Sequence, residues 1–230
     1  MAINTVEKID DLVPVKTVLV SVSDKAGLDS FIPELLETIP DVRILSTGGT
    51  YTAIRQILGP HADRNLTQVS EYTGQPEMQG GLVKTLDFKL YLGLLSETYN
   101  PAHAEDLKRA GAVPIDMVVA NLYPFAKTVS RQDATAEAAR GNIDIGGPCL
   151  VRAAAKNWIR VAAVTNPSDY AGIVAELRDR TGRLSMETRW ILARKAFSMT
   201  ASYDTSIAEY LARTSFPKAV AHYRIEGDRA

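Results

Sequence analysis

The feature that most constrains the fold of this chain is a repeated alternation between short β-branched runs and helical segments. The runs typical of buried strands are KTVLVSV (16–22), VRILS (42–46), IDMVVANLY (115–123) and IRVAAVTN (159–166). Each run is followed by a stretch that favours a helix, at 26–39, 51–58, 133–141 and 167–180. This order predicts an α/β fold with a parallel sheet covered by helices on both faces. Ligands of such sheets bind beyond the carboxyl ends of the strands.

The rest of the chain flanks this alternating region. Residues 1–15 are interpreted as an N-terminal arm, residues 16–180 as the α/β domain and residues 181–230 as a C-terminal helical extension. Within the extension, residues 185–214 form a long amphipathic pattern without a strand signal. We expect this helix either to wrap the domain or to contact a second copy of the chain.

Composition argues against several classes of function. The 230 residues carry a formal net charge of −1, which does not favour nucleic-acid binding. Cys149 is the single cysteine, and the histidines His61, His103 and His222 are scattered, so neither a disulfide framework nor a metal centre is predicted. No apolar run reaches the ~20 residues that span a bilayer, and the opening residues lack the apolar core of a secretory signal. We therefore expect a cytoplasmic protein without a membrane partner.

Polar turns follow the first two predicted strands. The first turn contains Ser21, Ser23 and Lys25, and the second contains Ser46, Thr47, Gly48, Gly49 and Thr50. Hydroxyl groups, glycine amides at helix starts and an ammonium together suit a phosphate monoester. Serine and threonine also cap helices, and capping is the better explanation for either turn taken alone. Two such turns on neighbouring strands favour the phosphate, although neither matches a P-loop or a dinucleotide-binding motif.

Residues 142–157, NIDIGGPCLVRAAAKN, join a turn to a helix. Asp144 precedes two glycines and a proline, and Lys156 ends the alanine run of the helix. Helix starts bind anions through their unpaired N–H groups, and glycine lets a ligand approach the backbone closely. The alternative is that Asp144 caps the helix and that the glycines, Gly146 and Gly147, only make the turn.

Two further clusters adjoin these turns in the predicted fold. Residues 71–89 are rich in turn residues and predict a long loop that leads to Lys84 and Thr85. Asn121 and Tyr123 stand at the end of the third predicted strand, where a buried tyrosine with a satisfied hydroxyl is the alternative. Together the clusters predict proton transfer on a phosphorylated small molecule, without a metal or redox cofactor.

Six motifs of the chain occur in the order found in a known family. SVSDK, LSTGGT, VSEYTGQPEMQGGLVKTL, IDMVVANLYPF, NIDIGGP and RAAAKN resemble the inosine monophosphate (IMP) cyclohydrolase domain of the bifunctional purine-biosynthesis enzyme. The resemblance runs from about Val18 to about Ala212 and includes ETRWILARKAFSMTASYDTSIAEYLA. It implies a methylglyoxal-synthase-like α/β fold, a homodimer and an enzyme that needs no cofactor or metal.

The implied reaction closes the second purine ring in the last step of de novo purine biosynthesis. In it, 5-formamidoimidazole-4-carboxamide ribonucleotide loses water to give IMP, so the enzyme is classed as a hydrolase acting on cyclic amidines. The formyltransferase half of the bifunctional enzyme is not within these 230 residues, and we expect a separate protein to supply the formylated substrate.

The resemblance also assigns site residues, each at a matching motif position. It assigns catalysis to Lys84, Tyr123, Asp144 and Lys156. It assigns substrate binding, including the 5′-phosphate, to Ser21, Ser23, Lys25, Ser46, Gly48, Gly49, Thr50, Thr85, Asn121 and Gly146. We hypothesise that Lys156 and Asp144 relay the proton of the carboxamide nitrogen as it attacks the formyl carbon. Lys84, Tyr123 and the turn amides then stabilise the developing oxyanion.

The sequence departs from the family pattern around Lys84. Where the family has GRVKTLHPKVHGG, residues 81–93 of this chain are GLVKTLDFKLYLG. Apart from the conservative change from valine to leucine at position 90, the departures are Leu82, Asp87, Phe88, Tyr91 and Leu92. Leu82 stands where the family has an arginine. Losing one charge-assisted hydrogen bond of an arginine costs about 1.5–3 kcal/mol in binding or transition-state free energy, so we expect a weakened but active enzyme.

Two other functions are alternatives. Domains of this fold also serve as nucleotide-sensing regulatory modules, but a module that binds without turnover would not need all four catalytic side chains. A phosphate-eliminating lyase such as methylglyoxal synthase would need a positioned histidine, and none of the three histidines lies in a phosphate-turn motif. The sequence therefore favours the cyclohydrolase.

Overall fold

The computed structural model describes residues 5–76 and 84–227, which form a sheet between two layers of helices. The strands in these ranges are β1 (Val13–Pro14), β2 (Thr17–Val22), β3 (Arg43–Ser46), β4 (Leu66–Gln68), β5 (Met117–Asn121), β6 (Ala162–Val164) and β7 (Arg183–Leu184). The α-helices are α1 (Leu28–Thr38), α2 (Gly48–Leu58), α3 (Ala62–Asn65), α4 (Val69–Thr73), α5 (Phe88–Leu95), α6 (Pro101–Ala110), α7 (Phe125–Val129), α8 (Ala136–Gly141), α9 (Gly146–Lys156), α10 (Tyr170–Asp179), α11 (Met186–Arg213) and α12 (Phe216–Val220).

Five strands form one parallel sheet in the order β4-β3-β2-β5-β6. The chain leaves β2 toward β3 on one side of the sheet, and it leaves β5 toward β6 on the other. Connections that diverge in this way open a crevice beyond the carboxyl ends of the two strands. The register pairs Val22 with Asn121, so the turns that follow β2 and β5 lie side by side at that crevice.

Both faces of the sheet are buried, and each face has its own apolar core. Side chains of β2 alternate between the two cores. Val18, Val20 and Val22 belong to a core shared with α1, α2 and α10, whereas Leu19 belongs to a core shared with α5 and α9. Burial on both faces is the reason why the strand sequences are almost continuously apolar.

The structure confirms the predicted α/β fold with a parallel sheet and helices on both faces. β2, β3, β5 and β6 each lie inside one of the four predicted runs. The sequence patterns do not predict β4, because three residues at the edge of the sheet are too few to show a periodicity. The ends of the predicted 71–89 loop belong to α4 and α5, and its centre, residues 77–83, lies outside the described residues.

α11 wraps around the domain, which is one of the two arrangements expected for the C-terminal pattern. It packs against α9, β6 and α7. Near its start, the buried Arg189 guanidinium donates hydrogen bonds to the backbone carbonyls of Asp10, Asp11, Trp158, Ile159 and Leu184. One side chain therefore ties the N-terminal arm to the segment before β6 and to β7. Within the described ranges, no helix combines the length and the apolar composition needed to cross a membrane.

A buried ion pair fixes the amino ends of the central strands. Arg160 Nη1 lies 3.0 Å from Asp116 Oδ1, and the two residues are only 6% and 8% exposed. Asp116 Oδ2 also accepts the backbone N–H groups of Lys16 at 2.8 Å and Thr17 at 2.9 Å. Burial raises the pKa of Asp116 and lowers that of Arg160, because desolvation penalises both charges. Each charge therefore depends on its partner and on these backbone hydrogen bonds.

Candidate functional site

A cavity of about 270 Å³ opens at the carboxyl ends of β2 and β5, where the sheet topology predicts a crevice. Its wall combines the turns after β2, β3 and β5 with the segment that leads into α9. The predicted site residues that line it are Ser21, Ser23, Lys25, Gly49, Thr50, Lys84, Thr85, Asn121, Tyr123, Asp144 and Gly146. Residues that are far apart in the sequence thus share one cavity.

Asn121 fixes the turn that follows β2. Its Oδ1 accepts the backbone N–H groups of Ser23 at 2.7 Å and Asp24 at 2.9 Å. Its Nδ2 donates to the Asp24 carbonyl at 2.8 Å. Because both ends of the amide are engaged by this turn, the geometry supports a positioning role for Asn121 rather than direct ligand binding.

Hydroxyl groups hold the start of α2 against the end of β2. Thr50 Oγ1 accepts the Val22 N–H at 3.1 Å and donates to the Val22 carbonyl at 2.9 Å. The Ser21 and Thr47 hydroxyl oxygens lie 2.9 Å apart. Thr47 precedes α2, yet its side chain makes no capping hydrogen bond to the helix. The capping alternative is therefore wrong for Thr47, and the first N–H groups of α2 lack acceptors within the helix.

Two lysines lie beside the start of α2. A Cβ atom built on Gly48 would lie 2.7 Å from Lys84 Nζ, and one built on Gly49 would lie 4.0 Å from Lys25 Nζ. Gly48 has a φ of +40°, a conformation that favours glycine, so both its backbone and its lack of a side chain suit this close approach. Two ammonium groups and the positive end of a helix dipole converge here, an arrangement that suits an anion.

Asp144 lies in the wall formed by the segment before α9. Its Oδ1 accepts the Gly147 N–H at 2.8 Å, and its Oδ2 lies 3.4 Å from the backbone nitrogen of Tyr123. The Gly147 N–H belongs to the first turn of α9, so Asp144, one residue before the N-cap position Ile145, caps the helix start as the capping alternative predicts. Because Asp144 also lines the cavity, the same carboxylate is available to a ligand.

The two glycines that open α9 are required by close contacts. A Cβ atom on Gly146 would lie 2.6 Å from Thr85 Oγ1. A Cβ atom on Gly147 would lie 2.6 Å from Asp144 Oδ2 and 2.7 Å from Leu122 Cδ2. Any larger residue would push Thr85 or Asp144 out of place, so the glycines let α9 start directly against the side chains of the cavity.

Three predicted site residues are not among those that line the cavity: Gly48, Ser46 and Lys156. Gly48 nevertheless lies beside Lys84 at the start of α2. Ser46 is fully buried, and its hydroxyl donates to the Val20 carbonyl at 2.8 Å, so it joins β3 to β2 instead of binding phosphate. Lys156 is the last residue of α9, about 15 Å along the helix from the end that holds Asp144. It lines a separate groove with Trp158 and Trp190. The predicted proton relay between Lys156 and Asp144 within one chain is therefore wrong.

The cavity also contains residues that are not among the predicted site residues. Thr47, which belongs to the second polar turn of the sequence, lines the cavity in place of its neighbour Ser46. Ile143 and Ile145 flank Asp144 and supply apolar surface. Pockets for organic ligands are lined mostly by apolar side chains, so these two isoleucines fit a ligand-binding cavity.

Of the residues that depart from the family pattern, Leu82 lies outside the described residues, Asp87 immediately precedes α5, and the others lie within α5. Asp87 Oδ1 accepts the Lys89 N–H at 2.8 Å and caps α5, a role for which aspartate is well suited. Phe88 is exposed, and burial raises the pKa of Tyr91. These substitutions leave Lys84 and Thr85 in the cavity wall.

The arrangement can bind a phosphorylated organic molecule and transfer a proton. The lysine end suits the phosphate, while Asp144 and the half-exposed Tyr123 offer a carboxylate and a phenol hydroxyl to the rest of the ligand. Among residues 5–76 and 84–227 there is no group of three His, Cys, Asp or Glu side chains placed to hold a metal ion. The residues present thus fit acid–base and electrostatic catalysis.

A parallel sheet with a cavity where the strand connections diverge is typical of α/β domains that bind ligands. The family model described as "MGS-like domain" matches residues 28–149, more than half of the chain, and the chain belongs to this family. The model described as "AICARFT/IMPCHase bienzyme" matches residues 154–229, a range that includes α10, α11 and α12.

The chain is similar to curated proteins named "Bifunctional purine biosynthesis protein PurH". It is 46% identical to the one from Leptospira biflexa over 199 residues, which cover 86% of this chain and 37% of the relative. It is 45% identical to the one from Neisseria meningitidis over 201 residues, which cover 87% of this chain and 37% of the relative. The solved structure titled "Crystal structure of ForH" matches with a TM-score of 0.71 and 29% identity, covering 85% of this chain and 98% of that one.

These comparisons confirm the family resemblance carried by the six sequence motifs. They also show that the chain spans little more than a third of the length of these curated relatives.

Proposed function

We propose that this chain is an IMP cyclohydrolase, which forms IMP from 5-formamidoimidazole-4-carboxamide ribonucleotide with loss of water. The main observation in support is the composition of the cavity. Lys25 and Lys84 at one end suit an anion, and the Asp144 carboxylate lines the same cavity. The matches to the bienzyme model and to the PurH proteins support it.

The 5′-phosphate of the substrate is proposed to bind at the start of α2. A phosphate monoester carries about −1.5 to −2 charges at neutral pH, which the two lysines and the helix dipole compensate. The Ser21 and Thr47 hydroxyls stand in the same wall and supply further donors. With the phosphate held there, the base extends toward Ile143, Ile145 and Asp144.

Ring closure starts with attack by the carboxamide nitrogen on the formyl carbon. A C–N bond forms, and the formyl C=O becomes a C–O⁻ group. Asp144 accepts the proton that the attacking nitrogen releases. Lys84 and Tyr123 donate hydrogen bonds to the oxyanion, and one of them gives it a proton to form a hydroxyl.

Loss of that hydroxyl completes the ring. Asp144 returns its proton to the hydroxyl, which leaves as water while the former formamide nitrogen forms the C=N bond. The N–H proton of that nitrogen restores the Lys84 or Tyr123 donor, so every group of the site returns to its starting state. Because both reacting groups belong to one molecule, holding them in contact supplies much of the acceleration.

The direct test mixes the purified chain with the formamido-carboxamide ribonucleotide and follows IMP formation by ultraviolet absorbance. Saturable turnover is the expected result. Tight binding of IMP without turnover would contradict the proposal and favour the regulatory module of the same fold. The activity is that of a hydrolase acting on cyclic amidines, and we place it in the cytoplasm. A formyltransferase, on this or another polypeptide, must supply the substrate.

Lys25→Ala is expected to weaken IMP binding roughly 10- to 100-fold, the effect of losing one charge-assisted hydrogen bond to phosphate. Isothermal titration calorimetry with IMP measures the change. Lys108→Ala, which removes an equal charge from the exposed face of α6, is the control and should leave the affinity unaltered. Equal affinities for the two variants would contradict the phosphate assignment.

We also propose that the chain forms a homodimer through the exposed face of α11 and the end of α9. Trp190, Ile191 and Phe197 are 46%, 41% and 39% exposed on α11. A groove of about 600 Å³ runs beside them, with Trp158 and Lys156 in its wall. Clustered exposed aromatic residues are unusual on a monomer and are enriched at protein interfaces.

Trp190→Glu is expected to convert a dimer of this 25.1 kDa chain into a monomer, because it places a charge in the apolar interface. Light scattering coupled to size-exclusion chromatography measures the molar mass. Phe216→Glu introduces the same charge at an exposed position of α12 and should leave the dimer intact. A wild-type chain that is monomeric at micromolar concentration would exclude this dimer.

A further inference from the structure

We propose that Tyr203, in the middle of α11, is a positioning residue that holds Asp144 in its reactive geometry; this inference rests on the cyclohydrolase function proposed above. Tyr203 lies outside the 28–149 match to the MGS-like domain and inside the 154–229 match to the bienzyme model. The segment that follows the MGS-like region would thus complete its active site.

The Tyr203 hydroxyl bridges two backbone groups of the segment that carries Asp144. It accepts the Asp144 N–H at 2.7 Å and donates to the Asn142 carbonyl at 3.3 Å. Burial raises the pKa of Tyr203, so the hydroxyl keeps the proton that it donates. Because Gly147 anchors the carboxylate of Asp144 while Tyr203 anchors its backbone, both ends of the residue are fixed.

The Tyr203 ring packs against a buried neighbour. It packs edge-to-face on the fully buried Phe125, with ring centroids 6.3 Å apart. Phe125 opens α7, two residues after Tyr123 in the cavity wall. The segment between α8 and α9 has no regular secondary structure, so a hydrogen bond from a packed helix is an effective way to fix its backbone.

Tyr210, two turns further along α11, is a matched control. Its ring also packs edge-to-face on Phe125, with centroids 5.8 Å apart. Its hydroxyl is buried but has no hydrogen-bond partner in the described part of the chain. Tyr203→Phe and Tyr210→Phe therefore remove the same atom from similarly packed rings, and only the first removes a contact to Asp144.

Tyr203→Phe is expected to lower kcat roughly 10- to 100-fold, because a misplacement of about 1 Å at a reacting group can cost 100-fold. The affinity for IMP should stay within about threefold of the wild-type value, since the phosphate end is untouched. Tyr210→Phe should retain both quantities. In an Asp144→Asn background, adding Tyr203→Phe should cause no further loss, because Tyr203 acts through Asp144.

Equal kcat values for Tyr203→Phe and Tyr210→Phe would overturn the inference, and so would a further loss in the Asp144→Asn background. Hydrogen exchange of the Asp144 amide, measured by NMR on the full chain, gives a readout that does not require turnover. The exchange rate of this amide is expected to be at least about tenfold higher in Tyr203→Phe than in Tyr210→Phe. Equal exchange rates in the two variants would contradict the proposed contact. Binding of IMP without turnover by the wild-type chain would instead contradict the cyclohydrolase function.

Discussion

Asp144→Asn is expected to reduce kcat by about 10²- to 10⁴-fold, the range that a general acid–base group contributes. The substitution removes the group that accepts the proton of the carboxamide nitrogen. The amide oxygen of asparagine can still accept the Gly147 N–H, which now lies 2.8 Å from Asp144 Oδ1. Since asparagine and aspartate cap helices about equally well, the free energy of unfolding should change by less than about 1 kcal/mol. Steady-state kinetics and urea denaturation of the same preparation measure the two quantities.

Asp87→Asn provides the control for this experiment. Asp87 also caps a helix through its Oδ1, which accepts the Lys89 N–H at 2.8 Å, and it does not line the cavity. The same chemical change at this position should preserve kcat. If Asp144→Asn keeps a kcat within about threefold of the wild-type value, Asp144 is not the proton acceptor.

Asp116→Ala is expected to lower the free energy of unfolding by about 3–5 kcal/mol, because removing one partner of a buried ion pair leaves the other charge uncompensated. Arg160 would keep its bonds to backbone carbonyls but lose its carboxylate, and the Lys16 and Thr17 N–H groups would lose their acceptor. Urea denaturation followed by circular dichroism measures the loss.

Asp63→Ala is the matched control for the ion pair. Arg55 Nη1 and Asp63 Oδ1 lie 2.8 Å apart, but their side chains are 50% and 76% exposed. Exposed pairs contribute about 0–1 kcal/mol, so this variant should be nearly as stable as the wild type. If Asp116→Ala and Asp63→Ala lowered the free energy of unfolding by similar amounts, burial would not determine how much the Asp116–Arg160 pair contributes to stability.

The sheet could be predicted from the sequence because a strand buried on both faces must be apolar at almost every position. β2 and β5 satisfy this condition, and their runs are unmistakable. β4 could not be predicted, since its three residues gain their conformation from pairing with β3 and not from their own pattern.

Most of the candidate site could be predicted for a related reason. In a parallel sheet all carboxyl ends meet at one edge, so polar turns that follow separate strands must come together there. Ser21, Lys25 and Tyr123 do line the cavity, as this rule predicts. Ser46 was misassigned because a sequence does not show whether the hydroxyl at a strand end faces the cavity or the neighbouring strand.

Lys156 and Tyr203 show the limit of local patterns. Lys156 stands in the same motif as Asp144, but the rise of α9 places them at opposite ends of a helix. Tyr203 is separated from Asp144 by 59 residues, yet its hydroxyl contacts the Asp144 backbone. Closeness along the chain is therefore a poor guide to closeness in the site once a helix intervenes.

The sequence by itself determined the four long apolar strands with the helices that follow them, the polar turns at the strand ends and the family of the domain. Each of these depends on interactions between residues that are near one another in the chain: apolar periodicity, helix starts and turn chemistry. The tertiary structure alone decided which side chains share the cavity, that Asp144 both caps α9 and lines the cavity, and that Tyr203 of α11 contacts the Asp144 backbone. Those outcomes depend on how helices pack across the sheet, which is set by the sum of many long-range contacts and leaves no local pattern.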